Sequence, residues 1–226
     1  MAYQNELTFL GDSTTAGMIA YKVLPGGDAT RQVWRGAVGN TITFLYVEDV
    51  EIFYPKDVKD PAVDKGVPMT ILAAAEKDKP KYLVVTLGVT GGVSQALKKD
   101  QFLPLYRWLI DGILRVSPDT KIIVQSIFPV GEERKTAAGD YTTITNKPQT
   151  KNGKDYPGVE ETNRWIAEMV KEYYLAGKNV RYVDAYTPLL GEDGWMKPEY
   201  GNGDGLHISA EGYAVILGNL RTHAWL

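Results

Sequence analysis

The residues best suited to chemistry stand near the two ends of the chain. Gly11-Asp12-Ser13 closes a short apolar run close to the amino end, and Asp204-Gly205-Leu206-His207 lies close to the carboxyl end. A serine hydroxyl is a weak nucleophile until a base takes its proton. Histidine suits that task near neutral pH, and a carboxylate on its other ring nitrogen fixes the tautomer and stabilises the imidazolium. The loop spacing of Asp204 and His207 lets the carboxylate reach one ring nitrogen while the other faces Ser13. A serine at the start of a helix also places unpaired backbone N–H groups and the positive dipole end where an oxyanion would develop.

Each motif has an ordinary reading as well. Asp12 or Ser13 alone makes a good helix cap, and His207 alone fits a surface histidine ahead of a helix capped by Ser209. The chain has two histidines, so a histidine base is His207 or His223, and His223 sits where a helix end simply favours a cation. There is no cysteine, which removes thiol catalysis, thiolate metal sites and disulfides.

The elements that must position these residues alternate along the chain. Leu7–Leu10 predicts a first strand, and 13–21 a helix broken by Leu24-Pro25-Gly26-Gly27-Asp28. Strands are predicted at 32–37, 82–87, 121–127 and 180–184, and helices at 68–77, 102–116, 159–175 and 209–221. Residues 41–54, rich in β-branched and aromatic types about Glu48-Asp49, predict an inserted β-hairpin. Alternation of this kind predicts a parallel sheet with helices on both faces, built as one domain over residues 1–226. In such sheets the site gathers at the carboxyl ends of the strands. Ser13 and the Asp204–His207 pair both fall on that edge, and their joint placement favours chemistry over two separate caps.

The two motifs carry a resemblance. Thr8-Phe9-Leu10-Gly11-Asp12-Ser13-Thr14-Thr15 resembles the first block of the SGNH (GDSL-type) hydrolases, and Asp204-Gly205-Leu206-His207-Ile208-Ser209-Ala210-Glu211-Gly212-Tyr213 resembles the last. Arg35-Gly36-Ala37-Val38-Gly39-Asn40-Thr41 is similar to the second block, whose glycine gives an oxyanion-hole N–H; Gly39 is the matching position. The resemblance implies a flavodoxin-like α/β/α sandwich with five parallel strands in the order 2-1-3-4-5. It also implies acyl-ester hydrolysis without a cofactor or metal, by Ser13, His207 and Asp204. The third block departs from the pattern. Where the family has Gly-x-Asn-Asp, this chain has Gly88-Val89-Thr90-Gly91, so the expected oxyanion donors are Ser13, Gly39, Thr90 and Gly91, with Asn40 in reserve.

Two insertions are expected to shape specificity: the 41–54 hairpin and the long polar segment 131–158, read as a substrate-facing lid. Asn40, Trp195 and Tyr200 are the candidate substrate-binding residues; packing of the loop onto the domain is an equal reading for the two aromatics. The polar insertions favour a short acyl group, acetyl among them, on a carbohydrate or other polar scaffold. A non-catalytic glycan- or envelope-binding module on the same fold and an acyltransferase are the alternatives. The net charge of -3 offers no general attraction for nucleic acid, and no apolar run reaches the ~18–20 residues of a membrane span. The start of the chain lacks a secretory pattern, whereas relatives with similar blocks are often exported bacterial proteins; the resemblance therefore leans extracytoplasmic.

Overall fold

The computed structural model describes residues 2–36, 42–133, 135–136, 139–140, 142–223 and 225. A one-turn helix α1 (Ala2–Asn5) leads into β1 (Leu7–Gly11), α2 (Ser13–Ala20) and β2 (Val33–Gly36). There follow β3 (Glu51–Tyr54), β4 (Val67–Thr70), α3 (Ile71–Asp78), β5 (Tyr82–Thr86), α4 (Lys99–Val116) and β6 (Lys121–Gln125). Two small hairpins, β7 (Lys135–Thr136) with β8 (Gly139–Asp140) and β9 (Gln149–Lys151) with β10 (Lys154–Tyr156), precede α5 (Gly158–Leu175). The last elements are β11 (Val180–Val183) and α6 (Ala210–Thr222).

The main sheet runs β11-β6-β5-β1-β2-β3-β4. Its parallel part, counted in chain order, is 2-1-3-4-5, as the alternation and the resemblance imply. The sheet has seven strands rather than five, because β3 and β4 extend it antiparallel beyond β2. Successive side chains of a strand face opposite sides, and the apolar residues follow that rule. Leu83 and Val85 of β5 join α3, α4 and α5 in one core, while Tyr82 and Val84 join α2 and α6 in the other. Strands buried on both faces explain why these segments read as continuous apolar runs.

Two sequence expectations are corrected. The hairpin expected over 41–54 is not found in the described residues 42–54: Phe44–Tyr46 is a 3-10 turn, and Glu51–Tyr54 is a strand paired to β2 and β4. Phe44 is fully buried against Phe102 and Tyr106, and its N–H donates to Thr90 O at 2.9 Å. Its aromatic character therefore serves packing rather than strand pairing. The helix predicted from Pro68 begins at Ile71, with Val67–Thr70 as the outermost strand and the Thr70 hydroxyl capping Ala73 N. Proline lacks an N–H, and an edge strand is where a sheet tolerates that. The 131–158 segment carries the two small hairpins.

Candidate active site

The corner between β1 and α2 is made by residues that allow a very tight turn. A Cβ on Gly11 would fall 2.0 Å from Thr15 Oγ1 and 2.6 Å from Thr86 O, so only glycine lets the helix start against the β5 backbone. Asp12 caps α2: one carboxylate oxygen accepts from Thr14 N at 3.0 Å and from the Thr14 hydroxyl at 2.7 Å. Its other oxygen accepts from Thr90 N at 3.4 Å. Burial pushes the Asp12 carboxyl above its ordinary range, against the donors of Thr14 and Thr90, which pull it down. Ser13 follows as the first helical residue, and its own N–H has no acceptor among the described residues. That N–H is one of the orphan donors every helix start leaves.

The opposite half of the site is a closed loop ahead of α6. An isolated bridge joins Gly201 to Ile208, and Asn202 N donates to His207 O at 3.0 Å. Within it, Asp204 Oδ1 accepts from the N–H groups of Leu206 and His207, both at 2.8 Å. Asp204 Oδ2 lies 2.7 Å from His207 Nδ1, and His207 Nε2 lies 2.8 Å from Ser13 Oγ. The His207 and Asp204 side chains are 28% and 21% exposed, enough for a substrate to reach them yet shielded from full solvation. Burial works to raise the Asp204 carboxyl; the N–H groups of His207 and Leu206 and then the imidazole outweigh it, and the net direction is down. A carboxylate held ionised beside Nδ1 leaves Nε2 free to accept the serine proton. The Tyr213 hydroxyl of α6 donates to Thr14 O, which fastens the helix after this loop to the helix that bears Ser13.

The Thr90 loop completes the visible ring. Gly91 has φ +82°, and a Cβ there would meet Thr43 Cγ2 at 2.5 Å and Phe44 N at 2.8 Å. The Gly91 N–H donates to Ser94 Oγ at 2.9 Å, so the donor expected of Gly91 is already engaged. The Thr90 N–H is likewise spent on Asp12, whereas the Thr90 hydroxyl makes no hydrogen bond among the described residues. Gly39 and Asn40 lie outside the described residues.

Trp195 and Tyr200 part company in the structure. Trp195 lines a groove of about 240 Å³ with Glu132, Glu133, Asp193, Lys197 and the backbone of Gly203 and Gly205, the residues on either side of Asp204. Tyr200 instead packs against the α2–α6 core. A second cavity, of about 380 Å³, opens at the amino ends of β1 and β5, the sheet edge away from Ser13. The 131–158 insertion is fastened rather than loose at Asn146, which is buried. Its side chain exchanges two hydrogen bonds with Val130 and donates to Gly194 O, at 2.8–2.9 Å. The next residue along, Gly131, donates to Gly205 O at 2.8 Å, so the insertion braces the Asp204 loop. His223 caps the end of α6, away from this relay, with Nδ1 2.9 Å from Asn219 O.

Ser94, Asn146 and Asn202 lie outside the site residues that the sequence points to, and Asp12 enters there as a helix cap. The Asn202-x-Asp204 spacing is a signal that was available, because an asparagine two residues ahead of a backbone N–H makes an Asx turn. Among the described residues no group of three His, Asp or Glu could hold a metal ion, and no helix is long and apolar enough to cross a membrane.

An open, mostly parallel sheet with serine, histidine and aspartate hydrogen-bonded in series at its carboxyl edge is the architecture of a flavodoxin-like hydrolase. The chain belongs to the GDSL-like Lipase/Acylhydrolase family, whose model matches residues 9–215, and it is a carboxylic-ester hydrolase. Among solved structures, a carbohydrate esterase family 3 protein of Talaromyces cellulolyticus is similar at 16% identity and TM-score 0.55, covering 96% of this chain and 94% of that one. A GDSL-like lipase of Bacteroides thetaiotaomicron gives 14% and 0.53, over 99% and 89%. A family two carbohydrate esterase of Clostridium thermocellum, in complex with cellohexaose, gives 14% and 0.54, over 96% and 62%. At these identities the likeness establishes the fold. A comparison with curated proteins finds no match.

Proposed function

We propose that this hydrolase removes short acyl groups, acetyl foremost, from hydroxyls of a carbohydrate or similarly polar scaffold, with Ser13 as nucleophile, His207 as base and Asp204 as its orienting carboxylate. The observation that carries this reading is the unbroken relay Ser13 Oγ–His207 Nε2–Asp204 at 2.8 and 2.7 Å. Nε2 takes the hydroxyl proton as Oγ attacks the acyl carbon, forming a tetrahedral oxyanion. The oxyanion collapses to the acyl-serine, and the proton passes from Nε2 to the departing scaffold oxygen. Water then attacks the acyl-serine, giving its proton to Nε2, and as the intermediate collapses Nε2 passes that proton to Ser13 Oγ, releasing the carboxylic acid and restoring the serine hydroxyl.

The oxyanion donors in this reading are the Ser13 N–H, the Thr90 hydroxyl and the N–H of Gly39. Gly91 contributes by shape rather than by its N–H, which Ser94 holds. The short acyl group is supported by what fills the ground behind Thr90. Phe44 is seated there, its N–H on Thr90 O and its ring against Phe102 and Tyr106. The polar scaffold is supported by the groove beside Gly203 and Gly205, where carboxylates offer acceptors to hydroxyl donors and Trp195 offers a flat apolar wall. The carbohydrate esterases among the similar structures point the same way.

The test is a series of p-nitrophenyl esters of increasing acyl length on wild type and Ser13→Ala. Turnover should be greatest for acetate and fall with chain length, and Ser13→Ala should abolish it. Undiminished hydrolysis by Ser13→Ala would refute the nucleophile, and a preference for long chains would refute the acyl assignment.

A further inference from the structure

We infer that Asn202 is the positioning residue of the Asp204–His207 pair, holding the carboxylate in register with the imidazole and tuning its basicity; this rests on the catalytic roles proposed above. Three contacts carry it. The Asn202 side-chain amide donates to Asp204 Oδ2 at 3.2 Å, the same oxygen that faces His207 Nδ1. Its side-chain oxygen accepts from Asp204 N at 3.0 Å. Its backbone N–H donates to His207 O at 3.0 Å. One asparagine thus bonds both members of the pair, and it grips Asp204 by backbone and side chain together.

The accounting of Asp204 shows why this matters. Oδ1 is occupied by the N–H groups of Leu206 and His207, which belong to the turn itself. Among the described residues, Oδ2 bonds the imidazole and Asn202 alone. Without Asn202, the imidazole alone would hold Oδ2, and the ring and the carboxylate would have no fixed partner between them to set their register. A neutral donor on Oδ2 also shares that oxygen's negative charge with the imidazole. Few other charges face the pair. Asp12 acts on His207 from the β1–α2 corner. Glu132, Glu133, Asp193 and Lys197 line the groove behind Gly203 and Gly205.

Asn202→Asp and Asn202→Ala separate this role from a merely structural one. Asn202→Asp keeps shape and acceptor but sets a charge beside Oδ2. Because a neighbouring anion favours the protonated imidazole, the acid limb of the kcat/KM profile should move up by about 0.5–1 pH unit, and plateau kcat should fall as in the alanine variant because the amide donor to Oδ2 is lost. Asn202→Ala should lower plateau kcat roughly 3–10-fold with KM for p-nitrophenyl acetate unchanged. An unmoved limb in Asn202→Asp, or full plateau kcat in Asn202→Ala, would overturn the inference. Asn202 is exposed, so both variants should fold, and thermal melts verify it. Ser13→Ala and His207→Ala run alongside: if these retain activity the catalytic reading itself fails, whereas their inactivity with an unmoved Asn202→Asp limb defeats only the role of Asn202.

Discussion

The Asp12 carboxylate accepts the Thr90 N–H at 3.4 Å, which ties the corner bearing Ser13 to the loop after β5. This contact commits the backbone donor of Thr90, as Ser94 commits that of Gly91, and leaves the Thr90 hydroxyl as the group that loop can offer an oxyanion. Thr90→Val keeps the shape and removes the hydroxyl. Its kcat on p-nitrophenyl acetate should fall roughly 10–10³-fold, the range seen on loss of one oxyanion donor. Its Tm should stay within about 2 °C of wild type, since the side chain makes no bond that folding depends on. Thr90→Asn should raise kcat by supplying a longer donor. Wild-type turnover in Thr90→Val would remove the hydroxyl from the mechanism.

The depressed Asp204 carboxyl predicts a pH-dependent stability. Burial opposes ionisation there, but the His207 and Leu206 N–H groups and the imidazole prevail. A carboxyl lowered on folding adds stability above its unfolded pKa, and that stability is lost as pH falls through the lower folded value. Asp204→Asn should therefore melt below wild type at pH 7, and the gap should narrow on acidification through the carboxylate range. Activity should fall roughly 10²–10⁴-fold at neutral pH, because the amide does not stabilise an imidazolium. A melting gap that is constant with pH would show that the carboxylate's charge contributes nothing to the fold.

What the sequence revealed, and what it hid, follows from the kind of interaction involved. Ser13, Asp204 and His207 were legible because their types are scarce or motif-bound, and because strand–helix alternation put both motifs on one sheet edge. The parallel order was legible for the same reason. Phe44 was misread because aromatic and β-branched residues mark burial, and burial is satisfied as well by a turn packed on Phe102 and Tyr106 as by a hairpin. Val67–Thr70 was misread because an exposed edge strand has no apolar alternation to announce it, while Ala73-Ala74-Ala75 just beyond favours helix. Asn146 was invisible for a different reason. Its partners are backbone groups of Val130 and Gly194, and backbone groups leave no trace in residue type.

That buried asparagine supplies a stability prediction. Asn146→Ala would orphan the buried Val130 N–H and take one donor from Val130 O, which keeps Met196 N–H, and one from the half-buried Gly194 O. The expected cost is about 2–4 kcal/mol, less than the sum of the separate losses because the loops relax together. For a chain of this size that corresponds to a Tm lower by roughly 4–16 °C. A loss under about 0.5 kcal/mol, the scale of an ordinary surface change, would mean that the insertion is not braced through this residue.

The groove beside Asp204 separates binding of the scaffold from chemistry on the acyl group. The groove that Trp195 lines is walled by Gly203 and Gly205 and not by Ser13, His207 or Asp204, so loss of the indole should not slow an ester whose leaving group is too small to reach the groove. Trp195→Ala should therefore hydrolyse p-nitrophenyl acetate at close to the wild-type rate. On acetylated oligosaccharides kcat/KM should fall about 10-fold or more, chiefly through KM, as expected when a contact equal in ground and transition states is removed. Glu133→Gln should give a smaller loss in the same direction, because an amide still accepts from a hydroxyl but without charge. Equal losses on both substrates would mean that Trp195 supports the loop's fold rather than the scaffold. An unchanged kcat/KM on both would place the scaffold elsewhere on the rim.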